Sequence, residues 1–114
     1  MAWTVILCDP FDEEVQGFDQ ALQEEFFAVL RVLEVRGPTL GRPYVDQVKG
    51  SRYPNMKELR IQHGGSPYRY LFIFDPQRQA VVLVGGCKVG DTNFYARNIR
   101  IAEKRYEEYS RTAC

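Results

Sequence analysis

Hydrophobic and polar positions follow two rhythms along this chain, one helical and one of period two. Residues 2–8, Ala-Trp-Thr-Val-Ile-Leu-Cys, are rich in β-branched and aromatic side chains and predict a first strand. Asp9-Pro10 then supplies an N-cap with proline at the first helical position, predicting a short helix to about Gly17-Phe18. Asp19 caps a second helix, in which Leu22, Phe26, Val29, Leu30 and Leu33 form one apolar stripe that Gly37-Pro38 terminates. Residues 39–55 are turn-rich, with one short strand expected near 45–49. Beyond them the period falls to two. Met56–Gln62 reads as a strand, and His63–Pro67 as the loop returning the chain into Tyr68–Phe74. In that next strand Tyr68, Tyr70, Phe72 and Phe74 share one face, with Arg69, Leu71 and Ile73 on the other. Asp75–Gln79 forms a second hairpin loop before the strand Ala80–Val84. Gly85–Asp91 is expected to leave that strand and open a last helix, whose stripe is Tyr95, Ile99, Ala102, Tyr106 and Tyr109.

The element order is β-α-α-β-β-β-β-α. Strands joined by short loops make an antiparallel meander, and helices must cover its apolar faces. The expected architecture is α+β: two N-terminal helices and one C-terminal helix packed on a small, mostly antiparallel sheet. Residues 1–114 read as one domain, since no repeat, low-complexity tract or linker interrupts them.

Composition narrows the classes. A chain of 114 residues with 45% hydrophobic content can build one core without disulfides or metal. No apolar run approaches the roughly 18 residues of a membrane span, and the start lacks a signal-peptide pattern, so a cytoplasmic protein without a membrane partner is expected. Cys8, Cys87 and Cys114 are odd in number and widely spaced, and His63 is the sole histidine, so no zinc site or other metal cluster can be read. The net charge of zero conceals an asymmetry: residues 1–30 hold seven acids and no base, while all 15 bases lie in 31–114. The second half can therefore build a basic surface suited to nucleic acid or an acidic partner.

Three constellations could carry chemistry. In Lys57-Glu58-Leu59-Arg60, alternation places Glu58 and Arg60 on one side and Lys57 on the other, so Lys57 and Arg60 share a site only across a bulge. An ordinary surface ion pair between Glu58 and Arg60 explains that stretch equally well. Arg69 lies on the same strand face as Leu71 and Ile73, and its desolvation must be offset either by an internal carboxylate such as Glu58 or by an anionic ligand. Gly85–Tyr95 joins glycines, Lys88 and a helix start, a turn whose amides can face an anion, although a tight strand-to-helix turn needs glycine anyway. Paired-histidine ribonuclease chemistry needs two imidazoles, and no cysteine is spaced to act with His63, which is expected to be exposed in its hairpin.

An ordered set of short motifs carries a resemblance. These are Gly37-Pro38-Thr39-Leu40-Gly41-Arg42-Pro43, Lys57-Glu58-Leu59-Arg60 and Tyr68-Arg69 with Phe72-x-Phe74-Asp75-Pro76. They continue with Gly85-Gly86-x-Lys88-x-Gly90, Phe94-Tyr95 and Ala102-x-x-x-Tyr106. Over roughly residues 3–110 the chain resembles the HigB-like branch of the RelE/ParE toxin superfamily, the toxins of bacterial type II toxin–antitoxin modules.

The resemblance implies a RelE-like, microbial-RNase-like fold and ribosome-dependent mRNA cleavage by attack of a ribose 2′-OH on the adjacent phosphate, without metal or cofactor. By position, Arg60, Arg69 and Lys88 would bind phosphate and stabilise charge. Tyr95 would orient or deprotonate the 2′-OH, or stack on a base. An unperturbed tyrosine or lysine titrates near ~10, so either the cations lower the pKa of Tyr95 or the ribosome supplies geometry and the enzyme charge, and Asp46 or Glu58 are secondary candidates for a carboxylate base. Lys57 and Arg97 are candidate RNA contacts. The implied partners are mRNA, the ribosome and a cognate helix-turn-helix antitoxin of the HigA type, in a possible hetero-tetramer. At Gly86-Cys87-Lys88 a thiol stands where many relatives carry an acid. A ParE-type gyrase inhibitor and a decayed toxin serving only as an antitoxin-binding co-repressor are the alternative functions.

Overall fold

The computed structural model describes residues 2–112; the third cysteine, Cys114, lies outside them. Its elements are β1 (Thr4–Leu7), α1 (Asp9–Gln16), α2 (Gln20–Arg36), β2 (Val45–Gln47), β3 (Met56–His63), β4 (Ser66–Asp75), β5 (Gln79–Cys87) and α3 (Phe94–Thr112). The five strands form one sheet in the order β1-β5-β4-β3-β2, with the three helices packed on it. The α+β architecture expected from the hydrophobic pattern is the one observed.

One pairing departs from a simple meander. β1 runs parallel to β5, with Ile6 opposite Val81 and Leu7 opposite Val82. Two helices separate β1 from its next strand in sequence, so no tight hairpin is available, and it docks on the free edge of β5. Periodicity specifies which residues are buried but says nothing of which strand lies alongside.

Local chemistry explains most boundaries. The Asp19 side chain accepts a hydrogen bond from the Leu22 amide at 2.8 Å, capping α2 as expected. α1 begins one residue earlier than predicted: Cys8 occupies the cap, and Asp9 and Pro10 lie in the first turn. α2 stops at Gly37, whose φ of +54° favours glycine and whose N–H returns to the Leu33 carbonyl. β5 continues to Cys87, so Gly85 and Gly86 belong to the strand rather than to a loop, a correction to the sequence expectation. Gly85 is required there, because a Cβ would lie 2.1 Å from the Arg69 carbonyl oxygen and 2.7 Å from the Tyr70 ring.

Residues directly opposite in an antiparallel pair share a face. Leu59 opposes Tyr70, and the Tyr70 ring packs against Phe11, Phe18 and Phe26 at centroid distances of 5.0–5.8 Å. This face is therefore the one covered by α1 and α2. The neighbouring positions, Glu58, Arg60, Arg69 and Leu71, point to the opposite face, where α3 buries Ile99 and Ala102. Cutting back a fully buried ring such as Phe26 to alanine costs about 3–5 kcal/mol.

The expected stripe on α3 is borne out, with a polar handle on each of two tyrosines. Tyr109 donates its hydroxyl to the Gln79 side chain at 2.9 Å, and Tyr95 donates to Glu58. Tyr106 meets Tyr53 edge to face at 5.2 Å. No helix among the described residues is long and apolar enough to cross a membrane.

Candidate active site

Arg60 of β3 lies directly opposite Arg69 of β4, and Arg69 directly opposite Gly86 of β5. The Arg60 amide donates to the Tyr44 carbonyl at 2.8 Å, which extends the same row to Tyr44 just before β2. Four chain segments thus contribute one cross-strand row, Tyr44–Arg60–Arg69–Gly86, on the sheet face shared with α3.

Two like charges directly opposite each other are unfavourable unless something negative lies between them. Glu58, one alternation down from Arg60 on the same face, provides it. Arg60 Nη1 donates to Glu58 Oε2 at 3.0 Å, and Arg69 Nε approaches the same oxygen to 4.0 Å. The other carboxylate oxygen, Oε1, accepts the Tyr95 hydroxyl at 2.6 Å from the first turn of α3. Glu58 is only 4% exposed, so this is a buried junction of three elements and not the surface pair that the sequence allowed.

Arg69 is 6% exposed. Its Nη1 donates to the Tyr68 carbonyl at 2.9 Å, but Nε, although buried, finds no hydrogen-bond partner among the described residues. A buried guanidinium N–H without a partner is costly. Arg69 also lines a cleft of about 380 Å3 together with Arg42, Pro43, Tyr44, Arg60, Ile61 and Gln62. A second open cavity of about 300 Å3, lined by Gln47, Val48, Lys49, Glu58 and Tyr95, lies on the other side of the carboxylate.

Electrostatics separate the roles. Burial, reinforced by the hydrogen bond to Glu58, pushes the Tyr95 phenol up to about 12. This is the reverse of the lowering that a deprotonating tyrosine would need, so Tyr95 remains a proton donor at neutral pH. Lys88 leaves β5 beside it, with its ammonium 5.7 Å from the centroid of the Tyr95 ring. Two guanidiniums and one ammonium around a single carboxylate leave the site net positive.

The other sequence candidates lie elsewhere or, like Asp46 opposite Glu58 on the same face, are already engaged. Lys57 projects to the opposite sheet face from Glu58, as alternation requires, and lines a separate depression with Pro38 and Phe74. Arg97 is engaged by Asp91 in a salt bridge. The Asp46 carboxylate is held by Arg42 Nη2 at 2.6 Å, which lowers its pKa. The turn before α3 is internally occupied as well: the Asn93 amide donates to Asp91, so that N–H is not available to an anion. His63 is not freely exposed, since Nδ1 lies 2.9 Å from Glu25 on α2. Cys87 opposes Tyr68 and so faces away from Arg69. The thiol that replaces an acid therefore leaves the cationic cluster unchanged. Sequence alone does not single out Tyr44 and Gln62: alternation along β3 puts Gln62 on the face of Arg60, and the pairing register of β2 with β3 brings Tyr44 there.

The sheet, helix placement and cationic row together define a toxin fold of the RelE class. Over 92% of this chain and 98% of the other, the structure matches that of a double mutant of the Escherichia coli toxin RelE in the free state, with a TM-score of 0.64 at 17% identity. The intact E. coli RelBE toxin–antitoxin complex matches over 75% of this chain and 95% of its own, with a TM-score of 0.54 at 15% identity. Residues 13–107 match the family of phage-derived Gp49-like proteins (DUF891), and the chain belongs to that family, of the RelE/HigB type.

Two Mycobacterium tuberculosis proteins carried as candidate toxins are similar in sequence. HigB3 is 52% identical over 79 residues, 68% of each chain, and HigB2 is 46% identical over 97 residues, 83% of this chain. The chain spans about half the length of HigB2, with 48% of that protein covered.

Proposed function

We propose that this chain is the toxin of a two-component toxin–antitoxin module and acts as an endoribonuclease on mRNA in the ribosome, in the bacterial cytoplasm. The toxin part of the reading is supported by membership of the Gp49-like family and by similarity to HigB2 and HigB3. The observation that carries the nuclease part is the convergence of Arg60, Arg69 and Tyr95 on buried Glu58, with both arginines lining one cleft.

The chemistry follows from that arrangement. A scissile phosphate settles against the cleft-lining guanidiniums of Arg60 and Arg69 and draws Arg60 from Glu58. The freed Oε2 takes the proton of the ribose 2′-OH as O2′ attacks phosphorus, while Tyr95 holds Oε1 and fixes the carboxylate. Both guanidiniums stabilise the charge that builds on the non-bridging oxygens, and Lys88 flanks the leaving side. The P–O5′ bond breaks, O5′ takes up a proton from water, a 2′,3′-cyclic phosphate remains, and Glu58 returns its proton to solvent. Lys57 and Arg97, outside the cluster, contact RNA only at a distance from the reacting atoms. Positioning of the mRNA strand as a whole falls to the ribosome.

The proposed partner that restrains the toxin is an antitoxin of the HigA type with a helix-turn-helix. A fold shared with the toxin of the RelBE complex is consistent with that pairing.

Expression of the chain alone, with mapping of mRNA 5′ ends alongside growth and DNA supercoiling, tests the reading. Codon-phased ends that disappear with Arg69→Ala support it. DNA breaks with intact mRNA point instead to gyrase, and unimpaired growth to a co-repressor without catalysis.

A further inference from the structure

Beside the reacting groups lies a feature that phosphate chemistry alone does not use. The cleft lined by Arg69 and Arg60 extends to Tyr44 and Gln62, both on the α3 face of the sheet. Tyr44 is 41% exposed at the rim. Its backbone is tied on both sides, its amide donating to the Gly41 carbonyl at 3.1 Å and its carbonyl accepting from the Arg60 amide at 2.8 Å. The ring is therefore presented from a fixed backbone, one strand spacing from the guanidinium expected to hold phosphate.

We propose that this cleft is a nucleobase subsite, in which Tyr44 stacks on the base attached to the scissile phosphate and Gln62 reads that base's edge. The inference rests on the phosphate position proposed above and adds the substrate class of the adjoining space. An aromatic face beside cationic groups is the usual platform for an unpaired base, and stacking of this kind tolerates any of the four. A glutamine side chain adds discrimination, because it both donates and accepts along a base edge. Gln62 sits two residues beyond Arg60 on the same strand face and so reaches the same cleft. Arg42 plays a different part, since its ion pair with Asp46 braces the segment leading into Tyr44 and occupies its guanidinium.

Binding of nucleoside 3′-monophosphates and of inorganic phosphate to the purified protein, followed by calorimetry or NMR, tests the assignment. The wild-type chain should bind the nucleotides more tightly than phosphate. Tyr44→Ala should weaken nucleotide binding by about tenfold or more and leave phosphate binding unchanged, while Tyr44→Trp retains both. Gln62→Ala should alter the order of preference among the four nucleotides. Thermal unfolding monitors folding, and an exposed ring at the rim should leave it unmoved. Equal binding of nucleotide and phosphate by the wild-type chain, or nucleotide binding unaffected by Tyr44→Ala, overturns the subsite even if mRNA is cleaved. Nucleotide binding that depends on Tyr44 in a chain that cleaves no mRNA upholds the subsite and removes the nuclease reading instead.

Discussion

Arg60 and Arg69 face each other across neighbouring strands, and the Oε2 of Glu58 stands 3.0 Å from one and 4.0 Å from the other. The carboxylate has two duties in that position. It neutralises a pair of like charges that the sheet register forces together, and it waits beside a place where a phosphate could replace it.

Glu58→Gln separates these duties from shape, since the amide keeps the size but not the charge. Stability should fall by about 1–3 kcal/mol in chemical denaturation. Cleavage should fall by about 10²–10⁴-fold. Inorganic phosphate should bind more tightly, because two guanidiniums no longer share a carboxylate. Unchanged cleavage in this variant would remove Glu58 from the chemistry.

Tyr95 titrates too high to shape activity near neutrality. With its pKa pushed up to about 12 from an ordinary 10.0, its contribution to stability is complete below pH 10 and lost as pH rises through about 12. Tyr95→Phe should therefore lower the rate by about tenfold without moving any inflection of the rate–pH profile between about pH 6 and 9. The stability difference from wild type should stay flat over that interval. A profile whose alkaline limb vanishes with the phenol would show that Tyr95 itself exchanges the proton.

Two adjacent glycines should behave in opposite ways. Gly85→Ala drives a Cβ to 2.1 Å from backbone, so it should cost about 3 kcal/mol or prevent folding. A Cβ at Gly86 meets nothing within 4 Å, so Gly86→Ala should change stability by less than about 0.5 kcal/mol. Gly86 opposes Arg69, but the added methyl meets open space there, so activity should hold along with the unfolding midpoint.

His63 supplies a pH-dependent tie between the β3–β4 hairpin and α2. The Glu25 hydrogen bond raises its pKa above 6.5, with lesser aid from the charges of Glu25 and Asp19. The stabilisation is complete below pH 6.5 and is lost as pH climbs through the raised value. Unfolding midpoints measured from about pH 5 to 9 should decline more steeply above 6.5 for wild type than for Glu25→Gln. Parallel curves would refute the tie.

Most of the architecture is legible in the sequence because it rests on local rules. The Asp19 cap specifies where α2 starts, the α2 stripe which side it buries, and the alternation in β4 which residues share a face, each without reference to any distant residue. The parallel docking of β1 is a property of the whole sheet, and nothing in residues 2–8 encodes it. The site shows the same division. Alternation alone joins Glu58 to Arg60 and sends Lys57 to the other face, as the structure has it. The burial of Glu58, its bond to Tyr95 and the arrival of Tyr44 depend on register between strands and on where α3 lands. A residue that reads as a surface carboxylate along the chain becomes the hub of the site only through contacts 37 residues apart.

The sheet is longest in its middle and shortest at its rims. β3, β4 and β5 have 8, 10 and 9 residues, whereas the outer strands β1 and β2 have 4 and 3. A foreign strand laid along either margin would find only a few free amides and carbonyls, too few to template growth of an extended β-structure. Self-association into fibrils is thereby discouraged, and a partner strand would find only a few main-chain groups to pair with at either margin.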